Sequence, residues 1–219
     1  MNKKIFARLL GQSQNDLGEI TQPWIKETFG VEVKRCDTLE QYADAIDDAS
    51  LDRYFRKYWQ NDMKKWKYSG VQLIDEVNNL KPRAVLDVGC GYNEFRGKID
   101  NLIGIDPYND LADIEVGTLE YKTDQKFDVI LCLGSVNFGS KDKIIAEVGR
   151  CVDLLAEGGT MFFRVNPGVQ HDKPEADWIE FYAWNVPFIR ELSEIFNLKV
   201  LDIRDDTNQR KYFIYRKLK

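Results

Sequence analysis

The sequence lacks any apolar run near the roughly 20 residues that a membrane span requires, so no spanning segment is expected. Its first residues, Met1-Asn2-Lys3-Lys4-Ile5-Phe6, carry two lysines but no long apolar region or small-residue cleavage site, which argues against a secretion signal and for a cytoplasmic location. The four cysteines, Cys36, Cys90, Cys132 and Cys151, show no CxxC spacing. Reduced and mostly buried thiols are expected from that pattern, with neither a disulfide framework nor a metal site. Bases are fewer than acids, 31 against 36, and the net charge of −5 works against broad binding to a phosphate backbone. Histidine is nearly absent: His171 stands alone. Internal repeats, low-complexity tracts and flexible linkers are missing as well.

What is present is enough apolar material, 43% of 219 residues, for one sizeable core with room for an appendage. The central stretch is Ala84-Val85-Leu86-Asp87-Val88-Gly89-Cys90-Gly91-Tyr92, followed by Leu102-Ile103-Gly104-Ile105-Asp106-Pro107. Each half is a short apolar run carrying an aspartate, as expected of strands buried on both faces of a parallel sheet. Gly89 and Gly91 allow a sharp turn and a close approach to a ligand. Asp106 falls 19 residues after Asp87, at the expected end of the second strand, where an acid can accept two ribose hydroxyls. That is the logic of a nucleoside-binding β-turn-α-β unit. Read residue by residue, the glycines also suit any tight strand-to-helix turn, and Asp87 suits a helix cap.

Residues 1–80 read as a helical cap and 81–219 as the sheet domain. Pro23 marks a helix start, and Thr38 with Gln41 has capping-box spacing. Ser50 is expected to cap a longer helix bearing Phe55, Trp59, Met63 and Trp66, widened by Tyr54 and Tyr58. That stripe reads first as core, and second as a lid in which Trp59, Trp66 or Tyr68 reaches over a ligand. Val71, Ile74, Val77 and Leu80 mark a further amphipathic helix, ended by Lys81-Pro82. Strands are then expected at 114–116, 127–133 and 160–165, with helices over 141–156, ended by Gly158-Gly159, and 186–196. A terminal hairpin flanks Asp205-Asp206-Thr207-Asn208. The alternation implies an α/β fold: a doubly wound, mostly parallel, seven-stranded sheet with an antiparallel C-terminal hairpin.

Four strings, Val85-Leu86-Asp87-Val88-Gly89-Cys90-Gly91, Ile103-Gly104-Ile105-Asp106, Phe127-Asp128-Val129-Ile130-Leu131-Cys132-Leu133-Gly134 and Leu154-Leu155-Ala156-Glu157-Gly158-Gly159-Thr160-Met161, stand in order over about residues 82 to 165. In them the chain resembles the class I S-adenosylmethionine-dependent methyltransferases, which have a Rossmann-like fold. The resemblance implies S-adenosyl-L-methionine as cofactor. Asp87, Gly89, Cys90 and Gly91 would hold its methionine end, with N–H groups of the turn and helix start facing the carboxylate. Asp106 would take the ribose, Pro107 would lie near the adenine, and Leu133, Gly134 and Ser135 would line the pocket opposite the sulfonium. Thr118 and Leu119 occupy the turn where the family contacts adenine; an acid is common there, and Thr118 departs from it.

A nicotinamide dinucleotide is the rival cofactor. Its G-x-G-x-x-G fingerprint needs a third glycine where this chain has Glu94, and a glutamate at a helix start repels a pyrophosphate. The short segment containing Gly97 predicts a stunted first crossover helix. For the transfer itself, His171 is a candidate general base and Asn137 a candidate hydrogen-bonding residue. An idle loop histidine and plain turn asparagines at 137 and 166 are the competing readings. Trp178, Tyr182 and Trp184 either wall an apolar pocket or pack a long loop. Ser135-Val136-Asn137-Phe138 stands where amino-methylating nucleic-acid enzymes carry Asp/Asn-Pro-Pro-Tyr/Phe, and no Pro-Cys pair offers a nucleophile for cytosine. A small-molecule acceptor is favoured. A nucleic-acid or protein methyltransferase, or a non-catalytic binding subunit of the same fold, is the alternative.

Overall fold

The two aspartate-bearing apolar runs form adjacent parallel strands, β1 (Val85–Val88) and β2 (Leu102–Ile105), in the computed structural model, which describes residues 1–14, 16–60 and 62–219. On its other side β1 pairs in parallel with β3 (Phe127–Leu133), and β3 with β4 (Leu155–Val165). The hairpin of β5 (Leu198–Asp205) and β6 (Lys211–Lys217) adds to β4 antiparallel, so the order is β2-β1-β3-β4-β6-β5.

Side chains alternate across this sheet and feed two cores. Leu86, Ile130, Cys132, Phe163 and Phe213 face one way, against α5 (Lys141–Leu154) and α6 (Val186–Ile195). Val85, Val129, Leu131, Phe162 and Ile214 face the other, against Leu73 and Val77 of α4 (Gln72–Asn79) and against Met63, Phe95 and Ile99. Both faces are covered, so the strands are apolar throughout. Within the first core the Cys132 and Cys151 sulfurs lie 3.8 Å apart.

Six strands form among the described residues where seven are expected. Ile114 makes only one parallel bridge, to Ile105. The reason is local: Asp113 Oδ2 accepts from the Gly104 N–H at 2.8 Å and from Asn93 Nδ2, while the Asp113 and Ile114 N–H groups share Gly104 O. A side-chain carboxylate satisfies the outer edge of β2 in place of a ladder. The stunted crossover after β1 is found as expected. Residues 91–101 run through turns, with Asn93 and Gly97 in left-handed conformations that stop a helix.

The first 58 residues carry α1 (Lys3–Ser13), α2 (Gln22–Phe29) and α3 (Leu39–Lys57), capped by Asn2, Thr21 and Thr38. Ile5, Leu9, Ile25, Phe29, Tyr42 and Ile46 form their own core. Ser50 is no cap. It lies inside α3, where its hydroxyl donates to Ile46 O at 2.7 Å. One helix therefore runs to Lys57 and the aromatic stripe divides. Tyr54, Phe55, Tyr58 and Trp59 cluster with Tyr108, Phe138 and Phe181 over the strand tips, whereas Met63, Trp66 and Tyr68 join the second sheet face. In α4 the buried pair is Leu73 and Val77, and Val71 and Leu80 are exposed. Gly158 and Gly159 fall within β4, because α5 already ends at Leu154. Among the described residues no helix is long and apolar enough to cross a membrane.

Candidate functional site

The carboxyl ends of β1, β2, β3 and β4 open into one cavity of about 620 Å³, roofed by Leu51, Phe55 and Trp59 of α3 and the residues just after it. A cavity of this size suits a cofactor-sized ligand. Of the residues singled out in the sequence, Gly89, Gly91, Asp106, Pro107, Thr118, Leu119, Leu133, Gly134, Ser135, Asn137 and His171 all line it. Asp87 and Cys90 do not.

Asp106 sits at the tip of β2, 8% exposed. Its Oδ2 accepts from the Gly91 N–H at 2.9 Å and its Oδ1 from the Tyr108 N–H at 2.8 Å. Burial raises its pKa, and those backbone donors oppose the rise. A carboxylate has about four lone-pair sites, so capacity remains for a ligand's hydroxyls. Asp87, 2% exposed, lies behind the wall; burial and the nearby Asp106 carboxylate push its pKa up to about 7. The Cys90 thiol is likewise pushed up, first by burial and then by Asp87 and Asp106.

The bend between these acids is closed by contact on both sides. Gly89, at φ +65°, rests against Ser135, whose Cβ would overlap any side chain there. Gly91, at φ +55°, faces Trp59, and a Cβ would stand 2.8 Å from that ring. Trp59 thus packs over the turn, and Tyr92 fixes it by donating to its carbonyl at 2.7 Å. Trp66 also lines the cavity, while Tyr68 stacks on Tyr212 instead.

One expectation about the turn needs correcting. Its N–H groups are spent inside the protein: Gly89 and Cys90 donate to Ile105 O, and Gly91 donates to Asp106. With no helix starting at Gly91, these three N–H groups do not form a free row facing the cavity.

His171 is also engaged. Its Nε2 lies 2.9 Å from Arg210 Nη2 and its Nδ1 lies 2.8 Å from the Tyr54 hydroxyl. A guanidinium only donates, so Nε2 is the acceptor, and Nδ1–H donates to Tyr54. Burial, then Arg210 and Arg164, lower the histidine pKa to about 4. Both nitrogens are thus engaged within the protein, and the lowered pKa makes the ring a weak base. Asn137 Oδ1 accepts from the Asn166 N–H at 2.8 Å, while Asn166 Oδ1 closes a turn onto Gly168 and Val169. Trp184 and Trp178 pack, with indole N–H groups donating to Val136 O and Thr28 O.

Among the lining residues that the sequence does not single out are Glu147, Arg164 and Arg210. Glu147 points from α5 into the cavity; burial raises its pKa to about 7, and its Oε2 has no hydrogen-bond partner among the described residues. Its place three residues after Ile144 and four before Cys151 puts it on the helix's buried face, which was the available signal. Arg164 interrupts a buried apolar strand, a comparable anomaly. Arg210 offers no such mark.

No protein-family model matches the chain, and no curated protein matches its sequence. Solved structures do. The 1,6-didemethyltoxoflavin N1-methyltransferase of Burkholderia thailandensis, crystallised with 1,6-didemethyltoxoflavin and S-adenosylhomocysteine, superposes with a TM-score of 0.61 at 15% identity, over 86% of this chain and 94% of that one. This chain has the class I S-adenosylmethionine-dependent methyltransferase fold. The methyltransferase fold recurs in the N-methyltransferase NodS of Bradyrhizobium japonicum WM9 bound to S-adenosylhomocysteine, with a TM-score of 0.55 at 15% identity, over 78% and 97% of the two chains. Magnesium protoporphyrin IX methyltransferase (ChlM) of Synechocystis PCC 6803, bound to S-adenosylmethionine, gives 0.50 at 12% identity, over 84% and 99%.

Proposed function

We propose that the protein is an S-adenosylmethionine-dependent methyltransferase acting on a small molecule, with residues 1–80 as cap and 81–219 as the methyltransferase domain. The observation that carries this is the Asp106 carboxylate, held by two backbone N–H groups at the mouth of a cavity that spans the strand tips. The residues fit the cofactor. Asp106 accepts from the ribose hydroxyls, with Pro107, Thr118 and Leu119 beside the adenine. Glu147, with its unpartnered oxygen, serves the adenine amino group in place of the missing acid at Thr118. Asp87, Gly89, Cys90 and Gly91 form the methionine end, where Asp87 contributes negative potential from behind the wall. Leu133, Gly134 and Ser135 face the sulfonium.

The cofactor supplies an activated methyl group, so the chain's own task is alignment and exclusion of water. Trp59 and Phe55 cover the cavity. Asn137 spends its oxygen on Asn166, leaving its amide nitrogen to donate to the acceptor. His171 acts as a positioning residue. Among the proteins of similar fold, that of Burkholderia thailandensis is bound to 1,6-didemethyltoxoflavin and ChlM is named for magnesium protoporphyrin IX, both small molecules, and the size of the cavity suits one here.

Calorimetric titration with S-adenosylhomocysteine tests the reading. Micromolar binding is expected in the wild type, lost in Asp106→Ala and weakened in Asp106→Asn. A wild type giving no binding heat would refute it.

A further inference from the structure

Across the cavity from Asp106, the wall carries the positive charge of Arg164 and Arg210. Arg164, at the end of β4, pairs in register with Leu133 and is 7% exposed. Its guanidinium lies over the Trp66 ring at 4.3 Å, and its Nε stands 3.3 Å from Asp206 Oδ2 without an aligned hydrogen bond. Asp206 is already engaged by the Ser69 hydroxyl and by the N–H groups of Lys67 and Thr207. Arg210, just before β6, makes no ion pair with a carboxylate among the described residues. Its one side-chain hydrogen bond there goes to His171, and its Nε and Nη1 are shielded from solvent with no acceptor. Of these two guanidiniums, Arg164 alone is paired with a carboxylate, Asp206, among the described residues.

Unmatched donors of this kind are costly, and a bound acceptor relieves them. Planar forks are suited to carboxylate and phosphoryl oxygens. The arrangement is also braced: Tyr54 of α3 holds His171, which holds Arg210. Phe181 packs against His171 at a tilt, with centroids 4.6 Å apart, and lines the same cavity, giving the subsite an apolar neighbour. Arg164 stands two strands from β1 and three from β2, roughly 10 and 14 Å at the usual strand spacing of about 4.8 Å. That distance separates it from the end of the cavity where Asp106 lies.

We propose that Arg164 and Arg210 form an oxyanion subsite for the methyl acceptor, which is accordingly a small molecule bearing a carboxylate or phosphate on an apolar body. This rests on the methyltransferase reading and names its substrate class. The anion pairs with Arg210 and neutralises the surplus charge, while the apolar body lies against Phe181 and Trp66.

Protein saturated with S-adenosylhomocysteine in Tris chloride is titrated with sodium benzoate and, separately, inorganic phosphate. At least one probe is expected to bind saturably, and which one binds better tells a carboxylate acceptor from a phosphorylated one. Arg210→Gln is expected to weaken that probe at least tenfold and leave S-adenosylhomocysteine affinity within twofold. If Arg210→Gln fails to melt cooperatively, Tyr54→Phe, which frees the His171 ring, is expected to weaken the probe at least threefold. Absence of saturable binding by both probes, or an unchanged affinity in the variant, overturns the proposal. An equal loss of S-adenosylhomocysteine affinity overturns it too, because the arginines would then serve the cofactor's own carboxylate. Failure of S-adenosylhomocysteine to bind the wild type is a separate result: it defeats the methyltransferase reading and the acceptor assignment with it.

Discussion

Replacing Asp87 by asparagine is expected to make the unliganded protein more stable, and increasingly so as pH rises. Asp87 is buried on β1 beside the Asp106 carboxylate, and its pKa stands at about 7 against an ordinary 3.8. Below pH 4 both the folded and the unfolded chain hold the proton, and the residue costs nothing. Between pH 4 and 7 the unfolded chain releases it and the folded chain does not, so stability falls through that window. Each pKa step corresponds to about 1.4 kcal/mol, so the cost reaches roughly 4 kcal/mol above pH 7 and about 1.5 kcal/mol at pH 5. Asparagine is close in shape and does not titrate. For a chain of this size about 1 kcal/mol moves Tm by roughly 2–4 °C. Asp87→Asn should therefore melt about 10 °C higher at pH 8 and only about 4 °C higher at pH 5. Paired thermal melts in ligand-free buffer across that range decide the matter. A Tm difference that is flat with pH, or a destabilised variant at pH 8, would show that Asp87 is not an ionised buried group and refute the reasoning.

Two further outcomes are expected. In proton NMR the single histidine gives one Cε1–H resonance that stays flat from pH 8 to about 5.5 and moves only near pH 4. Because the unfolded ring titrates near 6.5, the same group costs stability as pH falls below that value, and a midpoint near 6.5 in the folded protein would contradict the Tyr54–His171–Arg210 arrangement. Glu147→Gln should weaken S-adenosylhomocysteine binding about tenfold at pH 8, the scale of one charge-assisted hydrogen bond; unchanged affinity would remove it from the adenine subsite.

The parts legible in the sequence are those whose signals are local. β1, β2 and β3 are continuous apolar runs bounded by turn formers, and Asp106 sits at a strand tip that its own neighbours define. The seventh strand was lost because Asp113 competes for the β2 edge through its side chain, a contact that no period reports. Ser50 misled because serine caps helices and also bonds back to the preceding turn within one. The least legible feature was the state of His171. It depends on Tyr54 and Arg210, which lie 117 and 39 residues away in the chain, so only the fold reveals that a lone loop histidine has no free nitrogen. Arg164 and Glu147 were legible in principle, since each places a charge where the surrounding pattern calls for an apolar residue.

The chain of contacts from α3 through the loop after β4 to the β5–β6 turn has an evolutionary corollary. Positions 54, 171 and 210 come from three separate stretches, yet a change at one takes away the hydrogen-bond partner of the next. Substitutions there should be inherited as a set, so that relatives keep tyrosine, histidine and arginine together or replace all three. A lineage that has turned to an uncharged acceptor would be recognisable by the joint disappearance of the trio, with Asp106 and its turn left intact.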